Sequence, residues 1–148
     1  MEKTSAAASE LMLNIQKEIQ IAAPIAVVFE SLIEQMGPDG DWPNGQKMNL
    51  RLEAWPGGRW YRDLGNQTGH LWGHVQVIKP PTLLEITGPF VMSYPAINHF
   101  QYRLTADGSG TKLTLIHRAL GDILPDHREN ISKGWEFVLS RIQSRSQK

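Results

Sequence analysis

Cysteine is absent from the 148 residues, which excludes disulfides, thiol nucleophiles and zinc–thiolate sites together. No charge of one sign prevails: fifteen Lys and Arg balance fifteen Asp and Glu, and the basic residues are scattered, so neither a global field nor a patch draws in nucleic acid. No apolar run is long enough to span a membrane or to form the core of a signal peptide, and the expected location is cytoplasmic. The chain also lacks a Gly-x-Ser-x-Gly elbow, a phosphate loop and a dinucleotide fingerprint. With no Pro/Gly/Ser-rich linker or charge run to divide it, the expectation is a mobile opening over residues 1–12 and one domain over 13–148.

What is present begins with its last stretch. From Pro125 to Gln143, Ile131, Trp135, Val138, Leu139 and Ile142 share one face of an amphipathic helix. Pro125 suits the first turn, and Asp126 and Arg145 complement the helix dipole. Nineteen such residues span roughly 28 Å, enough to cross a small domain, so the preceding segments must supply a surface to cover that face.

Leu13, Ile15, Ile19 and Ile21 fall on one side of an alternating strand, interrupted by Lys17. Pro24 then opens a helix whose apolar positions are Ile25, Val28, Phe29, Leu32, Ile33 and Met36. The turn-rich segment 37–47 carries Trp42, an aromatic that a solvated loop does not need, and this predicts a lid or plug. Its acidic residues do not have calcium-loop spacing, since Leu50 stands where a bidentate Glu is required. From Met48 onward, strands are expected at Met48–Ala54, Arg59–Leu64, Gly69–Ile78, Leu83–Thr87, His99–Thr105 and Lys112–Arg118. Short connections between them imply an antiparallel meander. The fold class is α+β: a curved seven-stranded antiparallel sheet wrapped around a long C-terminal helix.

The same pieces carry a resemblance: Ala23-Pro24 through Phe29, Trp42, Pro56-Gly57-Gly58-Arg59, Gly73-His74-Val75 through Pro80-Pro81-Thr82-Leu83-Leu84, Gly110 through His117, and Gly134-Trp135. In this combination the chain resembles the START-like (SRPBCC) superfamily, and within it the group similar to the C-terminal domain of the activator of heat-shock-protein-90 ATPase. The resemblance implies a helix-grip fold with a cavity between sheet and terminal helix. Members of the superfamily include lipid carriers, hormone receptors and polyketide cyclases, so fold alone does not assign function.

Strand alternation turns Phe100, Tyr102 and Leu104, and likewise Leu113, Leu115 and His117, toward the helix. For the strand 69–78 both faces remain open, although the size of Trp72 and His74 favours that pair as the inward one. The expected ligand-binding set is Phe29, Trp42, Trp60, Trp72, His74, Phe90, Met92, Phe100, Tyr102, His117 and Trp135, around an aromatic-lined pocket. The corresponding function is to hold a small apolar or amphipathic molecule without chemistry. A cyclase- or hydratase-like enzyme is the alternative, with His74 or His117 as acid or base and Tyr102, Asp63 or Glu85 assisting. A co-chaperone-like interaction module follows by analogy only. No cofactor is implied, nor a metal: His70 and His74 are about 13 Å apart on a strand, too far for one ion. A homodimer is compatible with the sequence.

Overall fold

The computed structural model describes residues 10–148, so most of the expected mobile opening lies outside the described residues. The first alternating run becomes strand β1 (Met12–Ile21), beginning within the stretch expected to be mobile, and the Pro24 segment becomes helix α1 (Ile25–Met36), ended by Gly37. Strands β2 (Leu50–Leu52), β3 (Arg59–Gly65), β4 (Thr68–Lys79), β5 (Leu83–Gly88), β6 (Ala96–Asp107) and β7 (Gly110–Gly121) follow, and helix α2 (Pro125–Ser146) closes the fold. β2 is a three-residue strand, shorter than the expected Met48–Ala54 run. α2 is longer than expected, with 22 residues spanning about 33 Å.

All seven strands form one antiparallel sheet in the order β1-β7-β6-β5-β4-β3-β2. β2 to β7 are the expected meander. β1 pairs with β7, so α1 and the loop after it carry the chain from one edge of the sheet to the other. The inner face is apolar as alternation requires: Phe100, Tyr102, Leu113, Leu115 and His117 are wholly buried. α2 lays Ile131, Trp135, Leu139 and Ile142 on this face. Burial of each such side chain contributes about 1.5–3 kcal/mol. Lys17, the interruption on the apolar side of β1, reaches Glu136 of α2 at 2.9 Å. The last turn of α2 is tied to α1 by Arg145, which donates to Gln35 Oε1 at 2.9 Å and to the Asp39 carbonyl at 2.6 Å.

β4 does not keep simple alternation. Trp60 and Tyr61 of β3 face Gly73 and Leu71, which leaves Trp72 as an extra residue, and a second shift at Gln76 interrupts the pairing with β5. A bulge places two successive residues on one side. Trp72 and Gly73 are therefore both buried while His74 is exposed. Glycine is needed where the strands close up: a Cβ on Gly88 would lie 2.4 Å from Gly73 Cα, and one on Gly73 2.7 Å from Ile86 Cγ2. Among the described residues no helix is long and apolar enough to cross a membrane.

Candidate functional site

The meander brings Trp60, Trp72, Phe90 and Tyr102 to one end of the inner face, around a cavity of about 210 Å³. Trp60 and Trp72 reach it from β3 and β4, Tyr102 from β6, and Trp135 from α2. Met36, Met48 and Leu50 complete the interior wall, and Trp42, Pro43 and Val91 come from loops. From α2, His127, Asn130, Ile131, Gly134, Phe137 and Val138 line the remaining side.

Phe90 organises the rings. Its ring is stacked on Trp60 (centroids 5.8 Å apart, planes at 20°) and on Trp135 (5.5 Å, 14°), so it lies between two indoles. Trp72 meets both Trp60 and Phe90 edge to face. The Phe90 backbone is left-handed, with φ +58°, a conformation that costs a bulky residue about 1–3 kcal/mol unless its surroundings hold it. They do so here: the Phe90 N–H donates to the Trp72 carbonyl at 2.8 Å, and the carbonyl of Pro89 accepts from Asn98 Nδ2 at 3.1 Å.

Asn98 belongs to a buried relay behind the cavity. Trp135 Nε1–H donates to His117 Nδ1 at 2.9 Å. That leaves the His117 proton on Nε2, from which it is donated to Asn98 Oδ1 at 2.7 Å. Burial, and secondarily the charge of His99, holds the His117 pKa down at about 4. The imidazole is neutral at pH 7, with both nitrogens occupied by protein partners.

Polar groups facing the cavity are few. Trp60 Nε1 donates to the Met36 carbonyl at 2.8 Å and the Tyr102 hydroxyl to Met36 Sδ at 3.3 Å. Burial raises the Tyr102 pKa. Gln35 accepts from Arg145. The indole N–H of Trp72 is buried and has no acceptor among the described residues. His127, on the first turn of α2, lies 2.5 Å from the Tyr94 hydroxyl through Nδ1. Burial raises Tyr94 above the ordinary tyrosine pKa.

Of the residues singled out from sequence, Trp42, Trp60, Trp72, Phe90, Tyr102 and Trp135 surround the cavity. The others do not line it. Phe100, Met92 and His117 are buried behind its wall, and Phe29 belongs to the core beneath α1. His74 points away, on the outer face beside Arg59 and Thr87, because the bulge at Trp72 reverses the phase of β4. The inward pair favoured by size is thus corrected to Trp72 alone. Of the three helpers, Tyr102 lines the cavity and the other two are elsewhere: Glu85 accepts from Gln101 and lies 2.9 Å from His99, and Asp63 pairs loosely with Arg51. Sequence reasoning missed His127, Asn130 and Gly134. Their spacing along α2 was the available signal, since 127, 130, 134 and 138 form a stripe beside the buried face.

The comparisons agree with this architecture. Residues 22–146 match the family model described as activator of Hsp90 ATPase homolog 1-like protein. No curated protein matches the chain. Among solved structures, protein CV1439 from Chromobacterium violaceum is similar with a TM-score of 0.71 at 18% identity, over 91% of this chain and 97% of that one. The di-domain ARO/CYC StfQ from the steffimycin biosynthetic pathway matches with a TM-score of 0.65 at 13% identity, over 94% and 52%. Ara h 8.0201 matches with a TM-score of 0.67 at 15% identity, over 90% and 96%. At identities this low the structural likeness shows the fold alone, the helix grip of a curved antiparallel sheet around a C-terminal helix. With the family match covering most of its length, the chain belongs to the activator of Hsp90 ATPase homolog 1-like family.

Proposed function

We propose that this domain binds a small, planar, amphipathic molecule carrying one or two fused rings, in the cavity between the sheet and α2. The observation that carries the reading is the aromatic enclosure: Trp42, Trp60, Trp72, Phe90, Tyr102 and Trp135 surround about 210 Å³. An apolar cavity of about 150 Å³ accommodates benzene, so this one has room for a larger ring system. Asn130 and His127 supply a polar end.

Thermal unfolding with 2-naphthol and with 1-decanol tests it. Millimolar 2-naphthol is expected to raise Tm and quench tryptophan fluorescence, with 1-decanol doing less. If no aromatic probe shifts either signal, the reading is wrong.

A second reading, a cyclase- or hydratase-like enzyme, is supported by the cavity-lining His127 and its contact with Tyr94. Its imidazole rather than that of His117 would be the acid or base. Loss of turnover in His127→Gln with ligand binding intact would favour it, whereas unchanged turnover would remove it. A chaperone partner rests on the family description alone; absence of retention in a pull-down with the chaperone would discard it.

A further inference from the structure

Gly134 stands in the interior of α2, where glycine destabilises a helix relative to alanine. Nothing in the backbone or the packing calls for it. Its φ is not among the positive ones, and a Cβ built on it meets no atom within 4 Å. This differs from Gly73 and Gly88, where an added Cβ would collide with the neighbouring strand. What Gly134 does touch is the cavity: it lines the space and is solvent-exposed, so it lies at the mouth. Asn130 and Ile131 one turn before it, and Phe137 and Val138 one turn after it, line the same space. Position 134 is therefore central in the helical wall, and a side chain there, tilted toward the helix N-terminus, would extend over Asn130 and Ile131.

We infer that Gly134 is the aperture of the cavity. The missing side chain keeps the entrance along α2 open and sets the size of ring system that passes. The inference rests on the ligand-binding reading proposed above and adds the residue that determines which ligands are admitted.

The experiment compares wild type, Gly134→Ala and Gly134→Leu by ligand-free thermal unfolding, by equilibrium titration with 2-naphthol and by stopped-flow association. Gly134→Ala is expected to raise Tm by about 2–4 °C while slowing 2-naphthol association. Gly134→Leu is expected to weaken binding tenfold or more, with Tm not below wild type. A lower Tm in Gly134→Ala would mean that glycine serves packing and would overturn the inference. So would wild-type affinity and association rate in Gly134→Leu. Failure of wild type to bind 2-naphthol would instead remove the ligand-binding reading, and the aperture with it.

Discussion

Trp135 Nε1 donates a 2.9 Å hydrogen bond to His117 Nδ1, linking the helix to the sheet through a neutral imidazole in the core. One bond thereby decides the tautomer of His117, the orientation of Asn98 beyond it, and the anchoring of the loop that carries Phe90. His117, a catalytic candidate by sequence, is a structural linchpin by position.

This relation predicts a pH dependence of stability. The folded pKa of about 4 lies below the ordinary value of 6.5. Between these values the unfolded chain binds a proton that the folded chain refuses, so stability rises with pH across the window. The contribution is fully present above about pH 6.5, declines as pH falls and levels off below about 4; its full size is roughly 3 kcal/mol. Urea unfolding of wild type and His117→Phe at pH 4.5, 5.5 and 7 checks this. The variant is expected to be less stable at pH 7 and flatter below it. Equal slopes would contradict the assignment.

Asn98→Leu is expected to cost about 1–3 kcal/mol, since it leaves the buried His117 Nε2–H without its partner and takes from the Pro89 carbonyl one of two donors, the other being the Met92 N–H. The released loop should also change tryptophan emission, because Phe90 is stacked on Trp60 and Trp135. Loss of stability with an unaltered emission spectrum would show that Asn98 does not position the ring.

Phe90→Ala is expected to lower stability by about 2–3 kcal/mol, less than the 3–5 typical of a fully buried phenylalanine, because Phe90 is only half-buried. The same change empties the slot between the two indoles. Affinity for a three-ring probe such as 9-anthracenol should rise relative to 2-naphthol in the variant. A fall for both probes would indicate that Phe90 is itself a contact rather than an occupant of the slot.

Arg145→Met is expected to cost about 1–2 kcal/mol, because the buried Gln35 Oε1 loses its donor, while the exposed Asp39 carbonyl keeps Lys47 Nζ. Arg145→Lys should recover less than half of that, since an ammonium cannot reproduce the planar fork. Thermal unfolding measures both, and full rescue by lysine would reduce the contact to simple charge.

Local pattern was a sufficient guide to the elements. The period of two in β6 and β7 placed Phe100, Tyr102, Leu113 and Leu115 inside, and the helical spacing of Ile131, Trp135, Leu139 and Ile142 identified the face of α2 that meets them. At the site, the large rings were legible because aromatics on an inward face must either fill space or line it. His74 was misplaced because alternation assumes an unbroken ladder, and β4 contains extra residues at Trp72 and Gln76. Gly73, inside a strand, was the available hint of that bulge.

By itself the sequence determined the strands, the helices and, outside β4, the apolar faces, since each follows from side-chain spacing within a single element. Only the tertiary structure decided that β1 closes against β7, that Phe90 lies between Trp60 and Trp135, and that His117 is held by Trp135 and Asn98. It likewise placed Gly134 and His127, two α2 residues outside the buried stripe, at the cavity. The pairings among β1, β7, Phe90, Trp60, Trp135, His117 and Asn98 are relations between elements, settled by which surfaces pack together and which buried polar groups find partners, and the periodicity of a single element does not encode them.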